Sequence, residues 1–170
     1  MARHLSKVAK PTIFDVGANI GQSVDRFQDV FPGALIHSFE PSPSTFAELQ
    51  RNCKDKEGVK LWNLGVGSKA GTLPLLENTH SDMTSFLAPG PGAWGEVARR
   101  TEVPVVSLDS FTEQEKIDRV HILKSDTQGY DFEVFKGAER LFAESRVNFI
   151  YCEVNICEMY QSQPPFYEVI

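Results

Sequence analysis

The sequence is poor in cysteine, and its cysteines show no paired spacing. Cys53, Cys152 and Cys157 are an odd number of thiols without a Cys-x-x-Cys motif. This argues against a disulfide-stapled scaffold and against a zinc knuckle, and it indicates a reducing compartment. Each thiol is interpreted as an inert side chain rather than as a nucleophile.

Long basic blocks and long apolar runs are also missing. The 17 basic and 23 acidic residues give a net charge of −6, which argues against a nucleic-acid backbone as a partner. No stretch reaches the length of a membrane span, and residues 1–10 are basic without the apolar centre of a signal peptide. We therefore expect a soluble, cytoplasmic protein with one domain over residues 1–170, in which residues 1–10 form a tail or a short leading helix.

The most informative stretch covers residues 12–21 and reads TIFDVGANIG. An apolar, β-branched run ends in Asp15, and a glycine-bracketed turn then leads into a predicted helix. Glycine lets the backbone approach a ligand closely, and a helix N-terminus offers free N–H groups. The stretch is either a ligand site or an ordinary strand-to-helix connection.

A βαβ unit follows from this turn. Val24, Phe27 and Phe31 have the spacing of one helix face, Pro32 ends that helix, and residues 34–40 form a second apolar strand. Glu40 ends this strand about 20 residues beyond the turn, where a carboxylate can accept hydrogen bonds from a ribose diol. Alone, Glu40 could equally be a solvated acid at a strand end.

The middle of the chain is less regular. Residues 43–53 read as a helix capped by Ser42, and residues 59–66 read as a third strand, with Asn63 where a nucleotide base would lie. Residues 70–76 suggest a short strand or hairpin off the main sheet, at an edge because of Pro74. Residues 77–101 are interpreted as an irregular loop, either a lid or a disordered segment.

Two further strands end in acids. Residues 120–126 form a core strand ending at Asp126, and residues 147–154 form a fifth strand with Glu153 near its end. The helix between them, residues 131–142, contains Gly137 as a kink or break. Ligands of open α/β sheets bind outside the carboxyl ends of the strands, so Asp15, Glu40 and Asp126 are expected to converge there.

Three segments resemble the FkbM-type family of S-adenosylmethionine-dependent methyltransferases. They read FDVGANIG at residues 14–21, FEPSP at residues 39–43 and KSDTQGYDFEVFKGA at residues 124–138. The last is similar to the family's Asp-x-x-Gly-x-Glu-x-x-x-Leu-Lys-Gly-Ala pattern, with Asp131 in place of Glu and Phe135 in place of Leu. The resemblance covers about residues 12–155.

The resemblance implies an α/β fold, namely a Rossmann-like class I methyltransferase three-layer sandwich with a mostly parallel sheet. It implies S-adenosylmethionine as the cofactor and O-methylation of a hydroxyl on a sugar or other small molecule. The expected cofactor-binding residues are Asp15, Gly17, Ala18, Asn19, Gly21, Glu40, Asn63 and Asp126.

A general base would take the proton of the acceptor hydroxyl. The candidates are Asp126, Glu153 and His80, with Asp126 preferred, although Asp126 could instead only cap the following helix or hold the loop. No metal is expected to be required, although a divalent ion between Asp126 and Glu153 is conceivable.

One departure from the family pattern concerns the end of the sheet. A complete sheet of this type has seven strands, but only 16 residues follow Val154, so the C-terminal strand pair is expected to be missing. An uncovered fifth strand would favour homodimerisation through the sheet edge. Two alternative functions remain: a non-catalytic nucleotide- or partner-binding module, and an NAD-dependent oxidoreductase. The second is weakened because the Gly-x-Gly-x-x-Gly fingerprint is absent.

Overall fold

The computed structural model describes Leu5 and residues 8–169. The strands in that part of the chain are β1 (Thr12–Val16), β2 (Leu35–Phe39), β3 (Val59–Trp62), β4 (Gly65–Val66), β5 (Gly71–Asn78), β6 (Val97–Val106), β7 (Val120–Ser125) and β8 (Val147–Cys152). The helices there are α1 (Gln22–Val30), α2 (Pro43–Asn52), α3 (Leu108–Gln114), α4 (Asp131–Lys136), α5 (Glu139–Ala143) and α6 (Phe166–Val169).

Five strands form the main sheet, and all of their pairings are parallel. The order is β3-β2-β1-β7-β8, with β1 at the centre between β2 and β7. Helices connect these strands and flank the sheet, as parallel pairing requires a crossover between neighbours. The predicted α/β class with a mostly parallel sheet is confirmed, and this order places the ends of β1, β2 and β7 side by side.

Successive side chains along the central strands point to alternate faces of the sheet, which produces two apolar layers. Phe14 joins a cluster with Phe111 and Leu141, while its neighbour Ile13 joins a separate cluster with Val24 and Leu49. Successive side chains of a strand point to opposite faces, so α1 and α2 contribute to one layer and α3 to α5 to the other. Each fully buried side chain of this size contributes about 1.5–3 kcal/mol, which makes these layers the rigid base of the strand ends.

The predicted tail falls partly outside the described residues, which omit residues 1–4, 6 and 7. Leu5 is buried in the same layer as Ile13, and Val8 packs against that layer. At least this part of the leading segment is therefore integrated with the core.

A second, three-stranded sheet corrects two sequence predictions. The predicted strand over residues 59–66 is two strands, because β3 pairs with β2 whereas β4 pairs with β6. The predicted irregular loop over residues 77–101 is shorter, since β5 continues to Asn78 and β6 begins at Val97 as its antiparallel partner. Much of β6 is polar and exposed, which conceals its strand character in the sequence. β5 lies at the edge of this sheet, as Pro74 predicted.

Residues 79–96 connect β5 to β6 and contact the C-terminal segment, residues 158–163. The Gly90 N–H donates to the Met159 carbonyl over 2.8 Å, and the Gln161 N–H donates to the Ala88 carbonyl over 2.8 Å. Met83, Met159 and Tyr160 form a small buried cluster between the two segments. The connection is thus held against the C-terminal segment beside the strand ends.

Glycine interrupts the helical stretch before β8, as predicted. α4 ends at Lys136 and α5 begins at Glu139, and a Cβ on Gly137 would lie 2.1 Å from the Gly67 carbonyl oxygen. β8 is an edge strand of the main sheet, and Ile150 and Tyr151 on it are each about half exposed. None of the described helices is long and apolar enough to cross a membrane.

Candidate functional site

The carboxyl edge of the main sheet brings strand-end acids to a cleft, as the sequence predicted. Glu40 follows β2 and Asp126 follows β7, and both line a cleft of about 590 Å³ together with Gly17 and Asn19 of the turn after β1. Ser85 and Phe86, from the β5–β6 connection, form part of the opposite wall. A neighbouring cleft of about 900 Å³ shares Gly17, Asn19 and Asp126 and extends to Glu153.

The glycine turn brings the end of β1 against the loop after β7. Gly17 has a φ of +73°, and a Cβ there would lie 2.0 Å from the Asp126 carbonyl oxygen. The N–H groups of Gly17 and Ala18 donate to the Phe39 carbonyl over 3.1 and 3.0 Å, which fixes the turn to β2. Gly17 is therefore required by the close approach of two strand ends as well as by its left-handed conformation.

Gly21 lies apart from the cleft linings, although the resemblance assigned it to the cofactor. It precedes α1 with a φ of +101°, and a Cβ there would contact Leu49 and Cys53 at 3.1 Å. Its smallness allows α1 and α2 to pack together.

Asp15 lies beneath the cleft in a fully buried ion pair. Its Oδ1 is 3.0 Å from Nζ of Lys124 on the neighbouring strand β7, and its Oδ2 accepts from the Ser23 hydroxyl over 2.7 Å. Lys124 also donates to the Gly17 carbonyl over 2.7 Å. Burial alone would lower the pKa of Lys124, but the carboxylates of Asp15 and Asp126 outweigh it and hold the pKa above its ordinary value.

Lys124 is a site residue that the sequence reasoning missed. The only signal was a lysine inside the apolar strand sequence VHILKS. A buried cation requires a paired anion, so this lysine could have been matched with the buried Asp15.

Glu40 is almost fully buried, and its carboxylate is held by backbone N–H groups. Its Oε2 accepts from Asn19 over 3.0 Å and its Oε1 accepts from Ser42 over 2.9 Å. No Lys, Arg or His among the described residues forms an ion pair with it. Burial raises the pKa of Glu40 to about 7, because the two hydrogen bonds offset only part of the desolvation.

Two amides lie beside Glu40. Nδ2 of Asn63 donates to the Glu40 and Pro41 carbonyls over 2.8 and 3.0 Å, so Asn63 fixes the backbone after β2. Asn19 has a φ of +48°, and its Oδ1 is buried without a hydrogen-bond partner. Each Glu40 oxygen also retains a lone pair beyond its backbone bond. Asn19 and Glu40 can therefore accept further hydrogen bonds from a ligand with hydroxyl or amino groups.

Asp126 and Glu153 form an acid pair at the ends of β7 and β8. Nε2 of Gln128 donates to Asp126 Oδ1 over 2.9 Å and to Glu153 Oε2 over 3.1 Å. Burial and the neighbouring Asp126 carboxylate raise the pKa of Glu153. A carboxylate with a raised pKa is a stronger base, so this pair can accept a proton from a hydroxyl that enters the cleft.

The alternative role of Asp126 as a helix cap is wrong, because α4 has no side-chain cap. Asp131 holds this loop, since its Oδ1 accepts from the Ser125 hydroxyl over 2.5 Å and from the Thr127 N–H over 3.1 Å. The other alternative, that Asp126 holds the loop, stays open because Asp126 Oδ1 accepts from Gln128 in the same loop. Asp126 thus remains free of a helix-capping bond and faces both clefts.

His80 is not brought to the acid pair. It is exposed beside Asn78 and Gly95 in the β5–β6 connection, and neither cleft lining includes it. Its neighbours Ser81 and Asp82 reach the cleft in its place. Among the described residues, no group of three or more His, Cys, Asp or Glu side chains is arranged to hold a metal ion.

A parallel sheet with a glycine turn and with acids at the carboxyl ends of several strands has the arrangement of a Rossmann-like fold. The methyltransferase FkbM domain family matches this chain over residues 15–170. The chain belongs to the FkbM methyltransferase family.

Three curated relatives illustrate the similarity. The chain is 23% identical to 2-O-methyltransferase NoeI of Sinorhizobium fredii, over 94% of this chain and 70% of the relative. It is 27% identical to hexuronic acid methyltransferase AglP of Haloferax volcanii, over 84% of this chain and 55% of the relative. It is 25% identical to 31-O-demethyl-FK506 methyltransferase FkbM of Streptomyces tacrolimicus, over 75% of this chain and 59% of the relative. The chain thus spans little more than half the length of the last two.

Proposed function

We propose that this chain binds S-adenosylmethionine and transfers its methyl group to a hydroxyl of a sugar or other small molecule. The observation that supports it best is Glu40, a buried carboxylate without an ion pair in the described residues, which lines a cleft beside the glycine turn. A ribose diol supplies two hydroxyl donors for such a carboxylate.

The residues present fit this cofactor at two further points. The partnerless Oδ1 of Asn19 can accept from a donor group of the ligand, and Gly17 of the same turn lines the cleft without a side chain. Leu64, Val66 and Phe86 give the same cleft an apolar wall suitable for a nucleotide base. We assign the ribose to Glu40 and the methionine end to the turn of Gly17, Ala18 and Asn19.

When bound, this cofactor supplies an electrophilic methyl group on a sulfonium, so that a new O–CH3 bond forms as the S–CH3 bond breaks and S-adenosylhomocysteine leaves. The chain's own task is to place the acceptor oxygen in line and to remove its proton. Asp126 and Glu153 are the residues that we assign to this proton, and we do not assign it to His80, which is in neither cleft lining. Lys124 stays protonated beneath them because Asp15 pairs with it.

The acceptor class follows from the cleft and from the relatives. The larger cleft is lined by polar side chains, including Gln22, Arg26 and Asp82, which suit a polyhydroxylated acceptor. The names of two relatives specify hexuronic acid and 31-O-demethyl-FK506 as the methylated compounds. We propose a sugar-like or polyketide hydroxyl as the acceptor on this basis.

Calorimetry with S-adenosylmethionine, S-adenosylhomocysteine and NAD tests the proposal. We expect the first two to bind and NAD not to bind, because the dinucleotide fingerprint is absent. A folded protein that binds neither adenosyl compound would refute the proposal, and tight NAD binding would support an oxidoreductase. Binding without turnover over a panel of sugar and polyketide acceptors would favour a non-catalytic module.

A further inference from the structure

Gln128 occupies the centre of a hydrogen-bond chain that joins the acid pair to the C-terminal segment. One end of its amide, Nε2, donates to Asp126 and to Glu153. The other end, Oε1, accepts from the Tyr160 hydroxyl over 2.9 Å. All hydrogen-bonding groups of this amide are thus directed at specific partners, and two of those partners are the proposed bases.

The surroundings leave the amide one orientation. The carboxylates of Asp126 and Glu153 accept and do not donate, so Nε2 must face them, and Oε1 then accepts from the hydroxyl of Tyr160, which is 1% exposed. The Gln128 carbonyl accepts from the Ser85 hydroxyl over 2.7 Å, and the residue has a φ of +55°. A left-handed conformation in a non-glycine residue is maintained at a cost by its surroundings, and such residues concentrate at functional sites.

We propose that Gln128 is a positioning residue that holds Asp126 and Glu153 together as one proton acceptor, and that Tyr160 fixes the direction of its amide. This assignment rests on the proposed function. Without the amide, the repulsion between the two neighbouring carboxylates would lose the donor that offsets it, and neither carboxylate would keep a fixed direction. The C-terminal segment thereby becomes part of the site through Tyr160, 32 residues along the chain.

The charges around Glu153 determine whether its pKa rises or falls when the Gln128 amide is removed. Burial and the carboxylates of Asp126 and Asp131 raise the pKa of Glu153, and the hydrogen bond from Gln128 lowers it. Lys124 faces the pair from β7, with Nζ 3.7 Å from Asp126 Oδ2. Removing the Gln128 amide therefore removes the donor that favours the ionised form, and the pKa of Glu153 must rise further.

The test is a carboxyl NMR titration of Glu153 without any cofactor or acceptor. Gln128→Met keeps the length of the side chain and removes the amide, and we expect it to raise the pKa of Glu153 by about one unit. The matched control is Gln161→Met, because Gln161 is an exposed glutamine of the same C-terminal segment whose amide donates to Pro89. The control should leave the titration unchanged. An unchanged pKa in Gln128→Met, or an equal rise in the control, would overturn the proposal.

Tyr160→Phe provides a second variant that retains the buried ring. Loss of the hydroxyl releases the amide to rotate, so the pKa of Glu153 should rise in the same direction but by less than in Gln128→Met. A titration identical to that of the wild type would remove Tyr160 from the assignment. S-adenosylhomocysteine affinity of the Gln161→Met control should match that of the wild type, because Gln161 lies in neither cleft lining. If neither the wild type nor any variant bound S-adenosylhomocysteine, the proposed function would be refuted. The titration of Glu153 would still test the contact with Gln128, because it is measured without a cofactor.

Discussion

The two sides of the cleft hold their carboxylates by different means. On the β1–β2 side, Asp15 is paired with Lys124 and Glu40 is held by two backbone N–H groups. On the β7–β8 side, Asp126 and Glu153 face each other and depend on the side chain of Gln128. The first side is built into the sheet, whereas the second depends on a loop and on a distant tyrosine.

This difference suits the two sides to different tasks, which are cofactor binding and proton transfer. A buried group with backbone partners can rearrange only at a large cost in free energy, because its hydrogen bonds would be lost. Such a group suits a surface that recognises an invariant cofactor. Glu153 is exposed and has a raised pKa, so it can gain and lose a proton, which suits a base. We therefore expect changes on the first side to affect folding and cofactor binding, and changes on the second side to affect proton transfer.

The largest effect should come from Lys124→Met. This change leaves Asp15 charged, buried and unpaired, and breaking a buried pair in this way costs about 3–5 kcal/mol of unfolding free energy. Urea denaturation measures the loss, and Lys54→Met at an exposed position is the matched control. Adding Asp15→Asn to Lys124→Met should restore part of the loss. A double variant no more stable than the single one would show that the pair is not the cause.

The second largest effect should come from Gly17→Ala. The new Cβ would lie 2.0 Å from the Asp126 carbonyl oxygen at a φ of +73°, so we expect a loss of about 2–3 kcal/mol together with displacement of the β7 loop. Gly71→Ala is the control, since a Cβ there has nothing within 4 Å. Equal denaturation midpoints for the two variants would contradict the close approach of the two strand ends.

A smaller effect concerns pH. The pKa of Glu40 in the folded state, about 7, lies above its ordinary value of 4.5, so the folded state binds the proton more tightly than the unfolded state. Glu40 therefore lowers the free energy of unfolding progressively as pH rises from 4.5 to about 7. Glu40→Gln removes this titration. The stability of the variant relative to the wild type should therefore rise by about 2 kcal/mol from pH 5 to pH 7. A difference independent of pH would refute the raised pKa.

The sequence predicted the parts of this site that depend on local patterns. Apolar runs that end in acids located β1, β2, β7 and β8, and the parallel order then brought Glu40 and Asp126 to one edge. Periodicity does not reveal which strand-end acid turns inward, so Asp15 was expected to face the ligand but lies buried against Lys124.

The rest of the site depends on contacts between distant segments. The β5–β6 hairpin was hidden because exposed polar residues dominate β6, and its pairing joins residues such as Glu77 and Arg99 across an irregular connection. The link from Tyr160 to Gln128 has no local sequence signal at all. The dimer predicted through the β8 edge remains a prediction, for which the half-exposed Ile150 and Tyr151 are the relevant surface.

We propose that Glu40 holds the ribose of the methyl donor, and the affinity for S-adenosylhomocysteine reports on this contact. Calorimetry should show affinity falling about tenfold from pH 8 to pH 6, because protonation of Glu40 removes the ionised acceptor. Glu40→Ala should lose about 10- to 100-fold at pH 8 and show little pH dependence, as expected for hydrogen bonds to a charged group. Equal affinity of wild type and Glu40→Ala, or no binding by the folded wild type, would contradict the account.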